Sequence, residues 1–132
     1  MTVISLCLIG CNVSAEDISG EDELLCSTGR IMLCVEDGEC FDVPARDIDV
    51  PQFIIVDTRD KTISTTEASG QKRRTTANAL ERSGGKIFMQ GIDNGRAFSF
   101  VIEEDSGVLT AAIAQHGITV SVFGACTDAD VG

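Results

Sequence analysis

Cys34 and Cys40 flank an acidic run in "LCVEDGECF", Leu33 to Phe41, and three chemistries compete for them: a metal loop, a redox site or a stapled hairpin. Zinc sites favour about two to four residues between paired cysteines. The gaps separating Cys26, Cys34, Cys40 and Cys126 are seven, five and 85 residues, and a single His is present to complete a ligand set. A thioredoxin-type Cys-x-x-Cys is absent. If the apolar first segment is an export signal, Cys7 leaves with it and Cys11 is removed or lipidated, and disulfides are the reading that remains for the even set of four in a small exported chain. Turn geometry selects the pairing. Glu36-Asp37-Gly38 fits a three-residue hairpin loop with Gly38 at its left-handed position, which sets Val35 opposite Glu39 and Cys34 opposite Cys40. A two-residue Asp37-Gly38 turn would set Cys34 opposite Phe41 and point the two sulfurs to opposite faces. The expected bridges are therefore Cys34–Cys40 and, by elimination, Cys26–Cys126.

Other side chains with chemical potential fall at turns. His116, in Gln115-His116-Gly117, sits at a hairpin tip, and a Ser-His-Asp triad needs its base on an ordered scaffold. No Gly-x-Ser-x-Gly occurs. Glu103-Glu104-Asp105 and Glu36-Asp37 bring carboxylates together, which would suit acid–base work if one were buried. Their turn positions predict solvated tips. Asp57, Thr58 and Asp60 lack the spacing of an EF-hand loop. Lys72-Arg73-Arg74 is the one basic cluster; it would bind an anion, pair with nearby acids, or guard an exposed sheet edge. With Ser69 and Gly70 it forms a candidate interaction loop. No catalytic residue, metal site or cofactor is expected.

The elements that must hold these residues read as β-structure throughout. "QFIIVD" is an apolar run of β-formers, Thr58 to Lys61 a turn, "TISTT" an alternating strand, and Ser69-Gly70 a second turn. "RTTANALE" reads as a strand or one helical turn, and Ser83 to Gly85 as a break. "KIFMQGI" is a strand, and Asp93-Asn94-Gly95 is the clearest hairpin signal. "RAFSFVI" places Phe98, Phe100 and Ile102 on one face; "VLTAAIA" does so for Leu109, Ala111 and Ile113, and "ITVSVFG" for Ile118, Val120 and Val122. Pro44 and Pro51 bracket a loop or edge segment. No capped segment of helical period follows residue 20. The expectation is an all-β, disulfide-stapled antiparallel meander of about eight short strands, closed into a small barrel or folded as a sandwich. In a barrel the two chain ends would be neighbours, as Cys26–Cys126 requires.

Composition bounds the rest. The 132 residues suit one domain able to bury roughly two-thirds of its unfolded surface. With no Trp, no Tyr and six Phe, its core must rest on Ile, Val, Leu, Ala and Phe. The 21 acidic and 10 basic residues give a net charge of −11, which repels nucleic acid and anionic membranes and attracts basic partners. The same charge also serves solubility alone.

Residues 1–15 read as an export segment, with residues 16–132 as the single β-domain. "MTVISLCLIGCNVSAED" carries no Asp, Glu, Lys or Arg before Glu16. Its apolar run is shorter than the ~20 residues that span a bilayer and suits a signal h-region. Val13-Ser14-Ala15 offers a cleavage site before Glu16, while Leu8-Ile9-Gly10-Cys11 resembles a bacterial lipobox that would lipidate Cys11. The positive n-region is missing, which leaves an upstream start or a buried strand open as alternatives to the export reading. The expected location is the periplasm or the outer membrane as a lipoprotein, with membrane contact only through a lipid on Cys11.

The stretch from "STTEASGQKRRTTANALERSGGKIFMQGIDNGRAFSFVIEEDSG" to "VSVFGACT" resembles a group of small exported bacterial proteins of unknown function. The shared features are a leading cysteine cluster, the strand Gly95 to Ser99 and the closing Phe123 to Thr127. The resemblance spans about Leu25 to Thr127 and implies export and paired cysteines. A second likeness is to small periplasmic β-barrels that inhibit c-type lysozymes through a Ser-Gly loop. Ser69-Gly70 matches that loop, whereas the tyrosine of the motif has no counterpart here.

Two functions follow as expectations. One is a non-enzymatic envelope domain that binds a basic partner protein, as an inhibitor or accessory factor. The other is a carrier holding a small apolar ligand in the barrel interior. An enzyme would require His116 or a buried carboxylate in a pocket.

Overall fold

The computed structural model describes residues 16–129. The proposed export segment, its cleavage site and Cys11 lie outside that range. Ten antiparallel strands form one sheet: β1 (Glu23–Val35), β2 (Cys40–Asp42), β3 (Phe53–Asp57), β4 (Thr62–Thr65), β5 (Arg74–Thr76), β6 (Ala79–Ser83), β7 (Lys86–Asp93), β8 (Arg96–Glu103), β9 (Val108–Gln115) and β10 (Ile118–Asp128). Their order is β5-β4-β3-β1-β10-β9-β8-β7-β6, with β2 paired to β1. The sheet curls into a half-barrel, and among the described residues no second sheet makes a sandwich.

The first and last strands meet at its centre. One meander, β3 to β5, hangs on β1; the other, β6 to β9, hangs on β10. The outermost strands, β5 and β6, are consecutive in sequence and joined by Ala77–Asn78. Ala77 N donates to Lys61 O at 2.7 Å and Asn78 N to Gln90 O at 2.8 Å, so this corner is tied to both halves. "RTTANALE" is therefore two short strands around a corner.

Both disulfides form between directly opposed residues, Cys26–Cys126 across β1–β10 and Cys34–Cys40 across β1–β2. Val35 N donates to Glu39 O, and Gly38 N to Val35 O, both at 2.9 Å, closing the expected three-residue loop. Gly38 has φ 101°, as the left-handed position demands.

The concave face is the core. β1 contributes Leu24 and Cys26, then changes parity at a bulge between Thr28 and Arg30, so that Ile31 and Leu33 turn inward beyond it. Two glycines permit the bulge. A Cβ on Gly29 would lie 2.9 Å from Phe123 O, and one on Gly124 would collide with Ser27 O. Ile54, Val56, Ile87, Met89, Ile102, Leu109, Val120 and Val122 complete the buried layer, with Ile18 packed against it. Each fully buried aliphatic side chain is worth roughly 1.5–3 kcal/mol relative to exposure.

Arg82 of β6 fastens the edge of the sheet to the opposite half. Its Nε donates to Glu104 Oε2 at 3.0 Å, and its Nη1 to Glu21 O at 2.9 Å and Thr58 Oγ1 at 3.2 Å. Asp22 Oδ1 lies 3.8 Å away. The Arg82 and Glu104 side chains are only 25% and 16% exposed, so either one alone would be left with a poorly solvated charge. Arg82→Met should cost about 1–3 kcal/mol, below the value for a fully buried pair because water still reaches both groups. Urea unfolding of Arg82→Met, of Glu104→Gln and of the double variant checks this. The double variant should lose less than the sum of the singles.

Candidate ligand-binding site

At the end of the half-barrel away from Ile18, the concave face opens into a cavity of about 130 Å³. Its floor and walls are inward-facing apolar residues from several strands: Ile54 of β3, Ile63 of β4, Phe98 and Phe100 of β8, Leu109, Ala111 and Ile113 of β9, and Val122 of β10. Ladder register explains the open space. Ala111 stands opposite Phe100, and Gly91 opposite Phe98, so large side chains face small ones. The Phe98 ring leans over Gly91, where a Cβ would sit 2.6 Å from Phe98 Cζ. Phe98 and Phe100 meet edge-to-face with centroids 5.6 Å apart.

A roof crosses the cavity between Pro44 and Pro51. It contains a single 3₁₀ turn, Ala45–Ile48, ended by Asp49 in the left-handed conformation at φ 59°. Val50 and Pro51 line the cavity from this side. Thr28 Oγ1 lies 3.3 Å from both Pro51 O and Gln52 O and ties the roof to the bulge. Arg73 ties its other end, donating from Nη1 to Asp49 O at 3.1 Å and to Asp49 Oδ1 at 3.4 Å.

The mouth is polar and biased towards positive charge. Arg73, Arg74 and Arg96 line it against Asp49 and Asp93. Arg96 is in phase with Phe98, Phe100 and Ile102 along β8, which places its guanidinium on the concave face. Its side chain is 23% exposed and lies 3.9 Å from Asp93 Oδ2, yet it donates no hydrogen bond among the described residues.

The structure divides the sequence-derived interaction loop. Arg73 and Arg74 reach the cavity, and β5, which carries Arg74, is an edge strand. Ser69 instead closes its own turn, with Oγ donating to Thr66 O at 2.7 Å and accepting from Gln71 N at 3.1 Å. Gly70 ends that turn at φ 76°, and Ser69 borders an open groove with Gln71 and Phe53 outside the cavity. Lys72 is exposed.

The remaining candidates lie elsewhere. His116 is exposed at the β9–β10 tip. Glu103 and Glu104 are not solvated tips: Glu103 belongs to β8 and pairs with Lys86 at 3.2 Å, while Glu104 is held by Arg82. Asp57 Oδ1 accepts from Arg59 N and Asp60 N, both at 2.9 Å, and so shapes its own turn. Among the described residues no three His, Cys, Asp or Glu side chains converge as a metal site. Hydrogen bonds from Arg30 hold Asp42 below the usual carboxylate range, but this exposed pair does not line the cavity.

Asp49 and Arg96 carry no site signal of the kind sought above, and Asp93 reads in the sequence only as a hairpin residue. A signal for Arg96 was available, because an arginine in phase with an apolar strand face must end inside or at a rim.

Fold and cavity together define, over the described residues, a small disulfide-stapled half-barrel with an apolar cavity on its concave face. No family model matches the chain, and neither a characterised protein nor a solved structure is detectably similar to it.

Proposed function

We propose that this chain is a non-enzymatic exported domain that carries a small apolar ligand in its half-barrel. The observation that carries the reading is the cavity, whose floor is almost wholly aliphatic and aromatic and whose roof is tied down by side-chain hydrogen bonds. Its volume of about 130 Å³ approaches the roughly 150 Å³ that admits a benzene-sized molecule. Two disulfides suit an oxidising compartment, the periplasm or the outer-membrane surface. Binding of a basic envelope protein, the other reading of an acidic exported domain, rests on net charge and names no surface.

Toluene titrated into the native protein should shift the NMR methyl signals of Ile54, Leu109 and Ile113 saturably. Ala111→Phe should fill the chamber and remove those shifts with the circular dichroism of the sheet retained. Ala111→Leu should weaken them. No saturable shift in the native protein, or equal binding by both variants, would refute the carrier reading.

A further inference from the structure

We infer that the ligand is an amphipathic organic anion, a small ring or short acyl chain bearing one carboxylate, gripped at the mouth of the cavity by Arg96 and Arg73. The inference rests on the carrier reading and adds the head group to it. An apolar ligand alone would need no charge at the rim. Here two guanidiniums from opposite halves of the sheet line the same small chamber. Arg96 is largely withdrawn from water and has only Asp93 nearby, at 3.9 Å and without a hydrogen bond. Withdrawing a guanidinium from water without satisfying its donors is unfavourable, and a carboxylate would satisfy two of them in parallel.

The sign of the ligand follows from what each rim group already does. Asp49 is occupied, since both its backbone and side-chain oxygens accept from Arg73 Nη1. Arg73 uses that one nitrogen on Asp49, and its other donors remain for a ligand. Three arginines face two aspartates, so the mouth is locally cationic on a chain of net charge −11. A carboxylate arriving from solvent meets these donors while its apolar body packs against lining residues such as Ile63 and Ile113. A cation would meet Arg96 and Arg74 first. A volume of about 130 Å³ holds an apolar body of about one ring or a short chain within the cavity.

Calorimetric titration of the full chain with 3-phenylpropanoate, its uncharged amide and 3-phenylpropylamine tests this, with toluene as the uncharged apolar reference. The carboxylate should bind at least about tenfold more tightly than the amide at low salt, and the amine more weakly than either. Arg96→Met should reduce the preference for carboxylate over amide to about twofold or less. Arg96→Lys should retain part of the preference, because it keeps the charge and loses the fork. Equal binding of carboxylate and amide, or tighter binding of the amine, overturns the anion inference and leaves the carrier reading standing. Binding of toluene with none of the phenylpropyl probes does the same. Failure of every probe, toluene included, overturns both.

Discussion

Replacing Cys26 and Cys126 together by alanine should lower the free energy of unfolding by about 3–5 kcal/mol, and the melting temperature by on the order of 10–20 °C. The bridge spans a sequence separation of 100. Chain-entropy models assign a loop of that length about 4.7 kcal/mol, and strain or residual structure usually trims the value. Both sulfurs are fully buried, so their removal also leaves a small void. The bridge further sits in the β1–β10 pair that joins the two meanders. The parallel change at Cys34 and Cys40 closes a separation of only six and should cost roughly 2 kcal/mol. Urea unfolding of both double variants, beside the oxidised native protein, gives the comparison. Equal losses, or a larger loss from the hairpin bridge, would contradict it.

Gly124→Ala should destabilise by about 2–4 kcal/mol or move the bulge. The new methyl group would meet Ser27 O, a backbone atom held on a central strand beside a disulfide. Backbone there cannot yield without breaking the β1–β10 ladder. Gly91→Ala supplies the contrast. Its Cβ meets the far end of the Phe98 ring, which has a torsion free to give way. That change should cost less stability and instead push Phe98 into the ligand chamber. Thermal melts of the two variants, with toluene titration of Gly91→Ala, separate the cases.

Local chemistry made much of the scaffold legible. Asn94-Gly95 turns the chain with φ of 53° and 80°, as an Asn-Gly hairpin requires. The three-residue loop at Glu36-Asp37-Gly38 put Cys34 opposite Cys40, and period two placed Phe98, Leu109, Ala111 and Val122 on inward faces. What escaped was set by long-range geometry. In β1 the parity changes at Gly29, so its apolar positions follow no single alternation. At Ala77–Asn78 a corner between edge strands has the same small and polar residues as a helical turn. Glu104 looks like a turn residue until Arg82, 22 positions away, is folded against it. The chamber depends on which strands curl towards one another, and Arg73 and Arg96 meet there from opposite halves of the sheet. The phase of Arg96 along β8 marks it as inward or at a rim, but nothing local marks Arg73 as its neighbour at the cavity.

Placing β10 in the middle of the sheet has a consequence for the order of events during synthesis. A chain that has emerged only as far as β9 owns two separate ribbons and no partner for the long inner edge of β1. The half-barrel cannot assemble, nor the buried sulfurs meet, until the final strand is delivered. Such a polypeptide stays open while it is being made and shuts only once β10 is available to join the two ribbons.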